Sequence, residues 1–108
     1  MNTTDLTYLT HALEAFIAAA INRLSVSGDL TYTFRIPAAE LKAQTDRQRL
    51  HEAVIQDVIG FFKGHGVRAQ YDQELASFAV TIDLNTCVLS PPQANYFSTA
   101  METFRANS

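Results

Sequence analysis

The chain has no tryptophan, one cysteine, three prolines and four glycines among its 108 residues. With Cys87 alone no internal disulfide can form, so a packed core must supply the stability and the reducing cytosol is the compatible compartment. As a small hydrophobe, Cys87 reads as a buried core residue. Long apolar runs are also missing. The longest, Ala15 to Ile21, is far below the ~20 residues that a membrane span needs. The amino terminus MNTTDLTYLT lacks the basic stretch that opens a secretory signal. A soluble cytoplasmic protein without a membrane partner is expected. Positive charge is scarce as well: 8 basic against 11 acidic residues leave a net charge of −3, with no summed field to gather a polyanion, so nucleic acid is not the expected partner.

Catalytic signatures are equally absent. No Gly-x-Ser-x-Gly elbow, Walker glycine-lysine loop or Gly-x-Gly-x-x-Gly fingerprint occurs. The stretch His51-Glu52-Ala53-Val54-Ile55 begins like a zinc-protease helix but places isoleucine where the second histidine ligand belongs. His11 and Glu14 share a helix side, yet two donors do not make a zinc site, so neither metal nor cofactor is expected.

What is present describes an ordered chain: 47% apolar, 10% aromatic and 18% charged residues place it among globular proteins, as one domain spanning residues 1–108. From about Asp5 to Leu24, residues Leu6, Leu9, Leu13, Phe16, Ile17, Ile21 and Leu24 fall in one helical arc behind the candidate caps Thr3, Thr4 and Asp5. The other side carries Tyr8, Ala12, Ala15, Ala18 and Ala19, small enough to admit a second close-packed element. Ser27-Gly28-Asp29 is a turn, and Leu30 to Ile36 alternates as a half-buried strand closed by Pro37, before a short helical turn at 37–43.

Thr45-x-x-Gln48 has the form of a capping box and opens a periodic run to Lys63 whose apolar arc, Leu50 to Phe62, covers half the circumference. This helix is expected to be central. His51 falls within its apolar arc as a satisfied core histidine, and Asp57 at the arc's margin reads as a residue paired with a nearby arginine or capping a loop, with a partly buried acid or base as the alternative. Arg47 and Arg49 stand where the helix dipole disfavours cations, which points to some other negative group, though two surface arginines carry little weight. Gly64-His65-Gly66 follows this helix, so it reads as a stop signal with Gly64 left-handed, not as a phosphate loop, which would precede a helix. Residues 67–72 and 76–84 alternate as a hairpin, and Ser90-Pro91-Pro92-Gln93 caps a last helix whose arc holds Ala94, Tyr96, Phe97, Ala100, Met101 and Phe104.

The expected fold is therefore α+β, a two-layer α-β-α-β-β-α domain with a three-stranded mixed sheet of order 1-3-2 and helices on one face. It resembles a split β-α-β, a ferredoxin-like half with an added amino-terminal helix, a likeness of topology that implies no function. The bare sheet face would show Arg35, Arg68 and Gln70 among threonines and serine, with the aromatics turned inward. We expect a small non-enzymatic accessory or regulatory protein, bacterial or phage-encoded, that binds another protein or itself, as a homodimer through an edge strand or the Tyr8, Ala12, Ala15 and Ala19 face. The alternatives are a nucleic-acid or nucleotide binder using Arg35, Arg68 and Gln70, and a small enzyme built on His51 and Asp57.

Overall fold

In the computed structural model, which describes residues 1–107, the cap of the first helix lies one residue before the candidates Thr3, Thr4 and Asp5. Asn2 is the N-cap of α1 (Thr3–Ser27): its side chain accepts from the Asp5 amide at 2.8 Å, and the Asp5 carboxylate accepts from the Asn2 amide at 3.1 Å. Two otherwise orphaned donors are thereby satisfied reciprocally. The helix ends at Gly28, whose φ of 78° closes the last turn through a bond from its amide to the Leu24 carbonyl.

The remaining elements are β1 (Thr31–Pro37), α2 (Ala38–Gln44), α3 (Glu52–Gly64), β2 (Arg68–Asp72), β3 (Ser77–Asp83) and α4 (Pro91–Ala106). The sheet order is β1-β3-β2, as the alternation implies. Where a mixed sheet was expected, both neighbouring pairs are antiparallel. The reason is topological. β1, α3 and β2 form a β-α-β unit whose two strands are parallel but separated, and the hairpin inserts β3 between them against both.

Phe78, Val80 and Ile82 of β3 are fully buried on the helical side. Thr31, Thr33 and Arg35 of β1 and Arg68 and Gln70 of β2 remain exposed on the other side. The core is completed by α1, which buries Leu9, Leu13, Ile17, Ala20, Ile21 and Leu24, each leucine and isoleucine contributing about 1.5–3 kcal/mol when removed from water. α1, not α3, is the central helix. It lies on the sheet and also carries α4, which packs on α1 and has no comparable contact with the strands. This stacking gives a body of 48 × 28 × 20 Å.

The start of α3 departs furthest from expectation. The Thr45–Gln48 box does not form; Thr45 ends α2, its hydroxyl donating to the Leu41 carbonyl at 2.6 Å. Asp46 takes a left-handed φ of 54° and residues 45–51 run as a loop. α3 begins only at Glu52, buries Ile55, Val58 and Phe62, and leaves Val54, Ile59 and Phe61 half covered. At its far end the left-handed residue is Gly66 (φ 72°), not Gly64, which is still helical. A Cβ on Gly66 would stand 2.5 Å from the Thr86 carbonyl oxygen, so the bare backbone lets the 84–88 loop close over the helix end. His65 belongs to that stop: its Nδ1 is 2.9 Å from the Phe61 carbonyl oxygen and its amide and carbonyl are both bonded to backbone.

Candidate functional site

The register of the sheet brings the three polar residues singled out on its bare face onto one surface. Arg35 on β1 and Gln70 on β2 stand on either side of Ala79, and Thr33 and Arg68 on either side of Thr81. Arg35 Nη1 donates to Ser77 Oγ at 3.0 Å, and the hydroxyls of Thr33 and Thr81 are 3.1 Å apart. Beside them, a shallow hollow of about 410 Å³ opens towards the hairpin turn, where Asp72 and Glu74 bring negative charge. Asp72 is committed to the turn, accepting from the amides of Glu74 and Leu75. Phe34 and Phe78 belong to the helical side, stacked on Phe16 and against Tyr71 respectively. The surface is hydrophilic and of mixed charge.

The alanine face of α1 divides. Tyr8 is half-buried, and its hydroxyl is pushed up to about 12 by burial first and then by the charge and hydrogen bonding of Glu40 on α2. Ala12 and Ala19 are also half-buried and lie one turn to either side of Phe16, whose ring stacks on Phe34 at 4.8 Å between centroids. The Arg23 guanidinium sits 5.1 Å from the centre of Phe34 and 6.0 Å from that of Tyr32. Ala15 and Ala18 face solvent.

A groove between α1 and α4, of about 490 Å³, is the concavity that the helical wheels did not reveal. Ala18, Ile21 and Asn22 form one wall and Tyr96, Ala100 and Thr103 the other. Tyr96 was expected in the buried arc of α4, yet it is 67% exposed. α4 packs chiefly on α1, with Phe97, Ala100 and Met101 against the core and Phe104 over Gly28, so residues at the margin of its arc find little to bury against. No acid, base or thiol lines this groove. The sequence signals for it are Ala18, on the small-residue side of α1, and the lack of charge at Asn22, Ser25, Thr99 and Thr103.

No family model, curated protein or solved structure matches the chain. The remaining candidates must be weighed on their own geometry. His51, expected in the core, is exposed as the N-cap of α3 and gives no side-chain cap bond. It borders a hollow of about 300 Å³ with Arg47, Gln48 and Arg49. Asp57 does not line that hollow; it is 54% exposed and lies 4.0 Å from the amino-terminal ammonium. Six positions apart, the two side chains leave α3 in different directions, so the structure does not assemble them.

Among the described residues, no three of His, Cys, Asp and Glu stand close enough to hold a metal ion. Cys87 is buried, and burial raises its thiol above the ordinary range. Arg47, expected at the start of α3, lies in the loop before it and so does not face that helix's dipole, yet it does meet a negative group. Arg47 binds the Asp5 carboxylate with both terminal nitrogens, the Nη2–Oδ2 distance being 2.8 Å. Also among the described residues, no helix is long and apolar enough to cross a membrane.

Proposed function

We propose that this protein acts by binding another protein and not by catalysis, as a small accessory or regulatory component working in the cytoplasm. The observation that carries this reading is the α1–α4 groove. It is open and walled by uncharged side chains, Ala18, Ile21 and Ala100 beside hydroxyls and amides, with a tyrosine standing 67% exposed on its rim and no carboxylate, imidazole or amine to move a proton. A concavity of that chemistry suits the apolar face of a partner helix, entering as a third helix against the first two. Tyrosine at its margin can bury a ring while keeping its hydroxyl wet, a recurrent feature of protein interfaces. The missing catalytic motifs are in keeping with an accessory product of a bacterium or its phage.

Photo-crosslinking from position 96, in the full chain within its own cell, tests the assignment. A discrete protein adduct that disappears when Ala18→Glu places a charge in the groove is expected. Adducts unaffected by Ala18→Glu, or none from position 96, would overturn it. Salt-sensitive binding of single-stranded RNA that weakens with Arg68→Ala would favour the sheet face instead.

A further inference from the structure

β1 is an outer strand of the sheet, and its free edge has the geometry of a surface that fits its own copy. The Leu84 amide bonds to the Leu30 carbonyl and the Ala38 amide to the Ala76 carbonyl. In an antiparallel ladder of this register the even residues of β1, Tyr32, Phe34 and Ile36, therefore exchange bonds with β3, while Thr31, Thr33 and Arg35 direct their amides and carbonyls away from the sheet. Among the described residues, no backbone group outside the strands takes up those outward bonds. All three residues are exposed.

We propose that β1 pairs antiparallel with β1 of a second copy about a two-fold axis through Thr33, making one continuous six-stranded sheet. This rests on the strand edge, independently of the α1–α4 groove. The register is fixed by the chemistry. Thr33 meets Thr33 of the copy and Thr31 meets Arg35, so the outward groups form about six backbone hydrogen bonds. The arginines do not oppose one another; each faces a threonine, about 13 Å along the strand from its symmetry mate by the rise of a strand.

On the helical side the same register sets Tyr32 opposite Phe34 of the copy, at a non-hydrogen-bonded position where side chains approach most closely. Both rings are only half covered in the single chain. Ala12 and Ala19 flank Phe16 above this edge, and their small side chains leave room for the second α1 to come near. Pro37, which has no amide to offer, ends the pairing.

Light scattering on the full chain, taken up to millimolar concentration, gives the mass. A dimer is expected. Thr33→Cys should cross-link through the axis on oxidation, since Cα atoms at such a position lie about 5.5 Å apart, within disulfide range. Val26→Cys, exposed but away from the edge, should not. Thr33→Pro removes the central amide and should weaken the dimer roughly tenfold or more. Thr33→Asp, which leaves the backbone untouched, should do the same by setting two carboxylates face to face, and circular dichroism verifies that each variant is folded. A chain that stays monomeric throughout overturns the proposal. So does a dimer that survives both substitutions and fails to cross-link at position 33, and neither result bears on the groove.

Discussion

At its amino end α1 is tied down through charge, the Asp5 carboxylate held by Arg47 from the loop before α3; at its carboxyl end it is tied through contact, Gly28 lying under the ring of Phe104. Asp5 is 3% exposed and keeps its charge because two guanidinium nitrogens and the Asn2 amide surround it. At Gly28 a φ of 78° combines with an approach so close that a Cβ would lie 2.4 Å from the Phe104 ring. The first tie is directional and depends on ionisation. The second is steric and indifferent to pH. One positions the irregular 45–51 loop, the other seats α4 on α1 and thereby shapes the groove.

Breaking the charged tie should have the larger effect. Arg47→Met keeps much of the side chain's bulk and leaves Asp5 buried without its partner. The full penalty for such an orphan is about 3–5 kcal/mol. Because Arg47 is 24% exposed, water can partly replace it, and a loss of about 2–3 kcal/mol in urea unfolding at neutral pH is expected. Asp5→Asn in the Arg47→Met background should recover part of that loss by removing the buried charge. No recovery would mean that the pair holds the loop by shape and not by charge.

The steric tie comes next. Gly28→Ala imposes a left-handed conformation on a residue with a side chain, about 1–2 kcal/mol, and pushes on Phe104. The ring tip belongs to a half-exposed side chain that can swing aside, so the total should be about 2 kcal/mol. The cost should fall when Phe104→Ala is already present. Additive losses in the double variant would show that the two positions do not meet in solution.

The same contrast explains what could be read in advance. β3 was legible because Phe78, Val80 and Ile82 face one fully buried layer, where a period of two is enforced along the whole strand. The box at Ser90 and Gln93 forms as its spacing implies, with Pro91 starting the helix. Thr45 and Gln48 have the same spacing and form nothing, because Thr45 closes α2 and Arg47 is drawn to Asp5, 42 positions away. A local pattern specifies a local bond only where no distant partner recruits the same segment. His51 lost its core position for that reason, since the loop that Arg47 anchors takes up the first turns expected of α3. The groove was illegible for another reason: a helical wheel shows which residues share a side but not how many neighbours that side meets, and α4 meets only one.

The smallest effect, and the one that separates the two ties most cleanly, is in their response to acid. The Arg47 guanidinium beside Asp5 holds its carboxyl below the ordinary 3.8, against the opposing pull of burial. A carboxyl whose folded value is depressed contributes stability that is complete above the unfolded value and disappears as pH falls through the folded one. The gap between wild type and Arg47→Met should therefore be constant at neutral pH and shrink as the solution is acidified through the carboxyl's value in the variant and on to the lower value in the wild type. In the variant burial is opposed only by the Asn2 amide and the amino-terminal charge, so the Asp5 carboxyl moves upward from its wild-type value and the gap starts to close at the higher pH. Gly28→Ala alters no titrating group, and its gap from wild type should stay flat over the same range. If both gaps changed alike with pH, the amino end of α1 would be held, like its carboxyl end, by packing.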